Sequence, residues 1–156
     1  MTNATSIRHI AASDRTEWER LYAGYCDFSD AAPDEAARDR LFSWFLDENA
    51  SMRCLVAEGE DGGLLGFANY TPYRRTVTAT IGIYLDDLYV SPEARGSGVA
   101  DAIFHALRDI ALENGWTLIR WITQDDNYRA RSKYDRLATR THWITYDMDP
   151  NAPIDD

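Results

Sequence analysis

The stretch best suited to chemistry runs from Leu85 to Ala100, LDDLYVSPEARGSGVA, where a strand gives way to Arg95-Gly96-Ser97-Gly98 and then to a helix. The start of a helix has unpaired backbone N–H groups and a partial positive charge, so it suits phosphate oxygens. Glycines at 96 and 98 let the backbone come close to a ligand and adopt positive φ. Arg95 adds a charge-assisted donor. The same glycine pair also makes an ordinary tight turn, so the loop alone decides nothing. Two other phosphate motifs are excluded. A Walker loop needs Gly-Lys-Ser/Thr, whereas Val99 follows Gly98; a dinucleotide fingerprint needs a small residue where Asp101 stands. Just before the loop, Asp86 and Asp87 form a carboxylate pair near the end of the strand. Alternate strand residues face opposite ways, which predicts that one of the two looks into a given cleft. Further on, Asn127 and Tyr134 are two helical turns apart and share a helix face.

These residues need elements to hold them. Ser6 to Ile10 reads as a first strand, and Asp14 to Tyr25 as a helix with Trp18, Leu21, Tyr22 and Tyr25 on one side. Pro33, with Asp34 and Glu35 behind it, opens a second helix that runs to about Leu46. Met52 to Glu58 and Leu64 to Tyr70 form a hairpin about Asp61-Gly62-Gly63. Thr78 to Val90 is a long strand stopped by Ser91-Pro92. Val99 to Glu113 is the clearest helix, with Val99, Ile103, Leu107 and Ile110 on one stripe and Asn114-Gly115 as its stop. Trp116 to Thr123, Asn127 to Leu137 and His142 to Met148 read as strand, helix and strand. The predicted order is β-α-α-β-β-β-α-β-α-β. That is an α/β (α+β) domain with a mixed sheet.

The 156 residues suit one domain over 1–156, with an ordered core from about residue 6 to 148 and loose tails at 1–5 and 149–156. Apolar residues make up 45% and charged residues 27%, which excludes a disordered chain. No run approaches the length of a spanning helix, and the N-terminus lacks a secretory pattern, so a cytoplasmic protein is expected. Asp and Glu number 26 against 16 Lys and Arg, a formal net charge of −10. Such a chain repels nucleic acid and favours cationic partners, amines being the commonest small ones; the same charge also serves solubility. Cys26 and Cys54 read as buried small residues, and His9, His105 and His142 lack ligand spacing, so no metal is expected.

Arg95-Gly96-Ser97-Gly98-Val99-Ala100 resembles the R/Q-x-x-G-x-G/A signature of the GNAT superfamily of N-acetyltransferases. Leu88-Tyr89-Val90-Ser91-Pro92-Glu93 looks like that family's strand-to-loop sequence, and Asn127, Ala130 and Tyr134 match its N-x-x-A/S-x-x-x-Y spacing. The order of elements agrees from about Ser6 to Met148. One departure follows Tyr134, where many members have Gly-Phe and this chain has Leu137-Ala138.

The resemblance implies acetyl-CoA as cofactor. Its pyrophosphate would lie on Arg95 to Ala100, and its pantetheine amides on the backbone of Leu88, Tyr89 and Val90. Asn127 and Ala130 would contact its arm. It implies that Tyr134 protonates the departing thiolate and that Asp86 is the base, since polyamine-acetylating relatives carry an acidic pair there. Asp87, with Tyr25, Asp27 and Phe28, is expected at the acceptor, within an aromatic and acidic lid that also takes in Trp18, Tyr22 and Asp30. The bland readings are a strand ending in surface aspartates, a core tyrosine, an Asn127 helix cap and a helix-one stripe that is all core. The expected activity is acetyl transfer to the primary amine of a small cationic acceptor. Protein acetylation and a non-catalytic acyl-CoA-binding module are the alternatives. A homodimer is expected from the family.

Overall fold

The computed structural model describes residues 5–154. The chain divides into two compact units at Ile122/Thr123. The first holds β1 (Ser6–His9), α1 (Arg15–Ser29), α2 (Glu35–Leu46), β2 (Arg53–Glu58), β3 (Leu64–Arg75), β4 (Thr80–Val90), α3 (Val99–Glu113) and β5 (Ile119–Arg120). The second holds α4 (Tyr128–Leu137). Expectations for residues 1–4 and 155–156 lie outside the described residues.

The sheet order is β1-β2-β3-β4-β5, antiparallel through β4 and parallel between β4 and β5. The β2–β3 turn closes because Asp61 accepts the Gly63 N–H while Gly59 and Gly63 share a backbone bond. Asp34 caps α2 through the Ala37 N–H. Leu55, Ala57, Ala68 and Ile83 are buried, and α3 crosses the sheet with Val99, Ile103, Leu107 and Ala111 buried. Trp18 and Leu21 of α1 and Phe42 and Phe45 of α2 cluster with Cys54, Val56, Phe67 and Tyr89 of the sheet. Each large apolar side chain buried this way contributes about 1.5–3 kcal/mol. Both cysteines are free and buried, as expected. At the start of the chain Arg8 holds Asp14 through two hydrogen bonds, at 2.7 and 2.9 Å, and also bonds Glu58. Asp14 in turn accepts the Ala11 N–H and fixes the entry to α1.

Three expectations change. Trp18 is fully buried and stacked on Tyr22 at 4.8 Å, so it belongs to the core and not to a lid. The strand expected over Trp116 to Thr123 is regular only at Ile119–Arg120. His142 to Met148 forms no strand among the described residues. Its local alternation suits a strand, but a strand exists only beside a partner that takes its N–H and C=O groups. Trp143 and Tyr146 remain 84% and 85% exposed.

Candidate active site

β4 pairs with β3 along its whole length but with β5 only at Ile83 and Tyr84. From Leu85 to Val90 its far edge has no strand beside it among the described residues. An unpaired strand edge offers N–H and C=O groups to any extended amide-bearing chain. Leu88, Tyr89 and Val90 lie on this open stretch. The Tyr89 ring points to the α1 side, where it meets Phe67 and Tyr25. Gly24 of α1 makes room for it, since a Cβ there would sit 2.3 Å from the Tyr89 hydroxyl.

The glycine loop follows directly. Gly96 and Gly98 have φ of +81° and +91°, a conformation that L side chains avoid, and open space surrounds both. Gly98 then stands at the N-cap of α3, whose first N–H groups point out of the helix. Ser97 is tied to the Ala94 carbonyl at 2.6 Å. Arg95 turns back on β4: its Nε donates to the Val90 carbonyl at 3.1 Å and its guanidinium lies over the Tyr89 ring. The loop is thus braced from the strand that precedes it.

The aspartate pair departs from strict alternation. Asn69 is opposite Asp87 and Tyr70 is opposite Leu85, so Asp86 is an extra residue, a bulge in β4. Asp86 accepts from the Thr71 hydroxyl at 2.9 Å, and Asp87 accepts from the Asn69 amide at 2.9 Å. Asn69 and Thr71 share one face of β3. Both carboxylates therefore lie on the α1 side of the sheet, and the expectation of opposite faces is corrected by the bulge. The Tyr25 hydroxyl donates to the other oxygen of Asp87. Partial desolvation raises the carboxyl of the solvent-accessible Asp86 above its ordinary range, with the Thr71 hydrogen bond opposing and the Asp87 charge adding. Burial, and then the Asp87 contact, pushes the Tyr25 phenol well above the usual tyrosine range, so it stays a donor. Asp27 and Phe28 are exposed at the end of α1, and Phe28 is 67% open.

In the second unit, Asn127, Ala130 and Tyr134 follow one face of α4. Asn127 is at the N-cap position without capping the helix; its side-chain amide donates to Thr123 at 3.1 Å. Tyr134 is half-buried, and desolvation raises its phenol, which keeps the proton on through neutral pH. Asn69 and Thr71 are the polar residues that sequence reasoning passed over. Neither sits in a motif, and only the β3–β4 register reveals them.

An open strand edge, a glycine loop at a helix start and paired carboxylates beside them make up the candidate site. The family comparison is specific: the acetyltransferase (GNAT) family matches residues 16–138. The chain belongs to that family and is an N-acetyltransferase. It is 26% identical to a D-amino-acid N-acetyltransferase of Saccharomyces cerevisiae, over 90% of this chain and 88% of the relative. It is 36% identical to a thialysine N-epsilon-acetyltransferase of Sus scrofa, over 60% of this chain and 58% of that one. Among solved structures, a probable acetyltransferase superposes with a TM-score of 0.81 at 23% identity, covering 97% of this chain and 99% of that one. That likeness speaks for the fold. Among the described residues no helix is long and apolar enough to cross a membrane.

Proposed function

We propose that this protein transfers an acetyl group from acetyl-CoA to the primary amine of a small cationic acceptor. The observation that carries the reading is the bulge in β4, which puts Asp86 and Asp87 on one face beside an open strand edge and a glycine loop. The residues fit acetyl-CoA: the edge at Leu88, Tyr89 and Val90 suits its amides, and the space around Gly96 and Gly98 suits its pyrophosphate, with Arg95, Ser97, Val99 and Ala100 completing the loop. Asn127 and Ala130 contact its arm in this reading. When bound, it supplies an acetyl group on a thioester.

The chain's own residues must then handle two protons. An alkylammonium of pKa about 10.4 leaves only about one amine in a thousand neutral near pH 7. Asp86, with its raised carboxyl and one oxygen not held by Thr71, takes the ammonium proton directly or through water. Tyr134, protonated through neutral pH, donates to the leaving sulfur. Asp87, held by Tyr25, receives the acceptor together with exposed Asp27 and Phe28, since carboxylates and ring faces both attract ammonium groups. The printed names of the relatives, acting on thialysine and on D-amino acids, support an amine acceptor. The net charge of −10 supports a cationic one.

Both units act as one catalytic domain in this reading. A cytosolic setting belongs to it as well, resting on two buried free cysteines. So does a homodimer, resting on the exposed apolar side chains Trp143, Ile144, Tyr146 and Met148. The test is release of coenzyme A thiol with thialysine, spermidine, neutral amines and lysine-containing peptides offered in parallel. Turnover confined to small cationic amines upholds the proposal. Turnover of peptides alone assigns a protein acetyltransferase, and none with any amine overturns it.

A further inference from the structure

Asn69 is fully buried in the middle of β3, and its side chain bonds only halfway. The amide nitrogen donates to Asp87 at 2.9 Å, while Oδ1 has no hydrogen-bond partner among the described residues. Turning the amide over would aim oxygen at the carboxylate, so Asp87 fixes its orientation. A buried polar atom without a partner is unfavourable, and an apolar residue of similar size would avoid that cost. The half-satisfied amide therefore calls for a role beyond packing. Its cross-strand neighbours are Cys54 on one side and Asp87 on the other, so Asp87 is the group it serves.

Tyr25 completes the arrangement from a different element. Its ring packs edge-on against Phe67 and Tyr89, at centroid distances of 5.7 and 6.2 Å, and its hydroxyl donates to the Asp87 oxygen that Asn69 leaves free. Asp87 is thereby gripped at both oxygens, from β3 and from α1. Asp86 accepts from the Thr71 hydroxyl and from its own backbone N–H, and is more exposed. A carboxylate has about four lone-pair sites, so Asp87 keeps room for an ammonium group after both donors are counted. The two aspartates have unlike holds: one is gripped by side chains of two elements and one is looser.

We propose that Asn69 and Tyr25 are positioning residues that hold the Asp87 carboxylate in place for the acceptor's ammonium group, leaving proton acceptance to Asp86. This rests on the acetyltransfer reading above and divides the carboxylate pair into a binding member and a proton-accepting member.

The experiment compares Asn69→Leu, Tyr25→Phe and Asp86→Asn with the parent, using thialysine and spermidine as acceptors and thiol release as the assay. Asn69→Leu removes the donor and the orphan oxygen together; Tyr25→Phe keeps the ring. Each is expected to raise KM for the amine about tenfold, with kcat and the KM for acetyl-CoA within about twofold of the parent. The melting temperature of Asn69→Leu is expected not to fall, because an unsatisfied group has been removed. A core residue kept for packing alone would lower stability and leave the amine KM unmoved. Should Asn69→Leu fold poorly, Tyr25→Phe decides by itself. Amine KM unchanged in Tyr25→Phe overturns the proposal, as does a loss confined to kcat. Asp86→Asn separates the two ideas: if it keeps full kcat while the other variants raise amine KM, the base assignment fails and the clamp stands. A parent that acetylates neither amine overturns both.

Discussion

At the scale of single residues the site is a matter of where protons rest. Tyr134 illustrates this. Desolvation raises its phenol, so the acid form is present throughout the neutral range and is lost only above the ordinary tyrosine value of about 10. Tyr134→Phe keeps the ring and removes the proton. The expected result is a fall in kcat of about tenfold or more with little change in affinity for acetyl-CoA, measured by steady-state kinetics and calorimetry. Equal turnover at all pH values would mean that water protonates the sulfur. Residue types and spacing single out Tyr134, Asn127 and the Arg95 to Ala100 loop as candidates, because each motif is complete within a short stretch of chain. Asn69 and Thr71 were not legible. Their meaning comes from partners 18 and 15 residues away, and the bulge that aligns them is a property of two strands.

At the scale of elements, the loop and the strand entry are each held by a small set of contacts. Gly98 has φ of +91° at the N-cap of α3, so a side chain there is strained, and a carboxylate there also opposes an anion. Gly98→Asp and Arg95→Glu are expected to weaken acetyl-CoA binding by tenfold or more in calorimetry, with the far-ultraviolet dichroism unchanged. Unchanged affinity in both would remove the loop from the account. The entry to α1 responds to acid. Arg8 holds the Asp14 carboxyl below its usual range, so the folded state binds that proton less readily than the unfolded chain. The stabilisation is present above the unfolded value of 3.8 and is lost as pH falls through the lower folded value. Asp14→Asn is expected to cost about 1–3 kcal/mol near neutrality and to flatten this acid limb in urea titrations. An unchanged acid limb would place the acid sensitivity elsewhere. Helix limits were mostly readable from sequence: α3 occupies the residues its stripe and its Asn114-Gly115 stop indicate. For Trp18 the stripe left two readings open, core or lid, because a helical stripe looks the same whether it faces a core or a ligand; its burial decides for the core.

At the scale of the whole molecule, the order of elements through α4 and the mixed sheet followed from periodicity and turns. Beyond α4 the reading weakened. His142 to Met148 has a strand's alternation, but pairing is not encoded in one segment, and the side chains stand exposed. The homodimer proposed above would cover Trp143 and Tyr146, which stand at the surface. Light scattering should therefore give twice the chain mass for the parent, and a smaller species for Trp143→Glu with Tyr146→Glu. A parent that is monomeric at all concentrations would contradict this.

Transfer of an acetyl group from acetyl-CoA to a cationic amine, as proposed above, leaves a product that can be counted. The most direct measurement incubates the protein with acetyl-CoA and an equimolar mixture of thialysine, spermidine, a neutral amine and an anionic amino acid. Each N-acetyl product is quantified by mass spectrometry alongside the thiol released. Amide and thiol are expected in equal amounts, with the acetyl group on the cationic amines. Thiol without amide, or acetylation of the neutral and anionic amines as readily as the cationic ones, would contradict it.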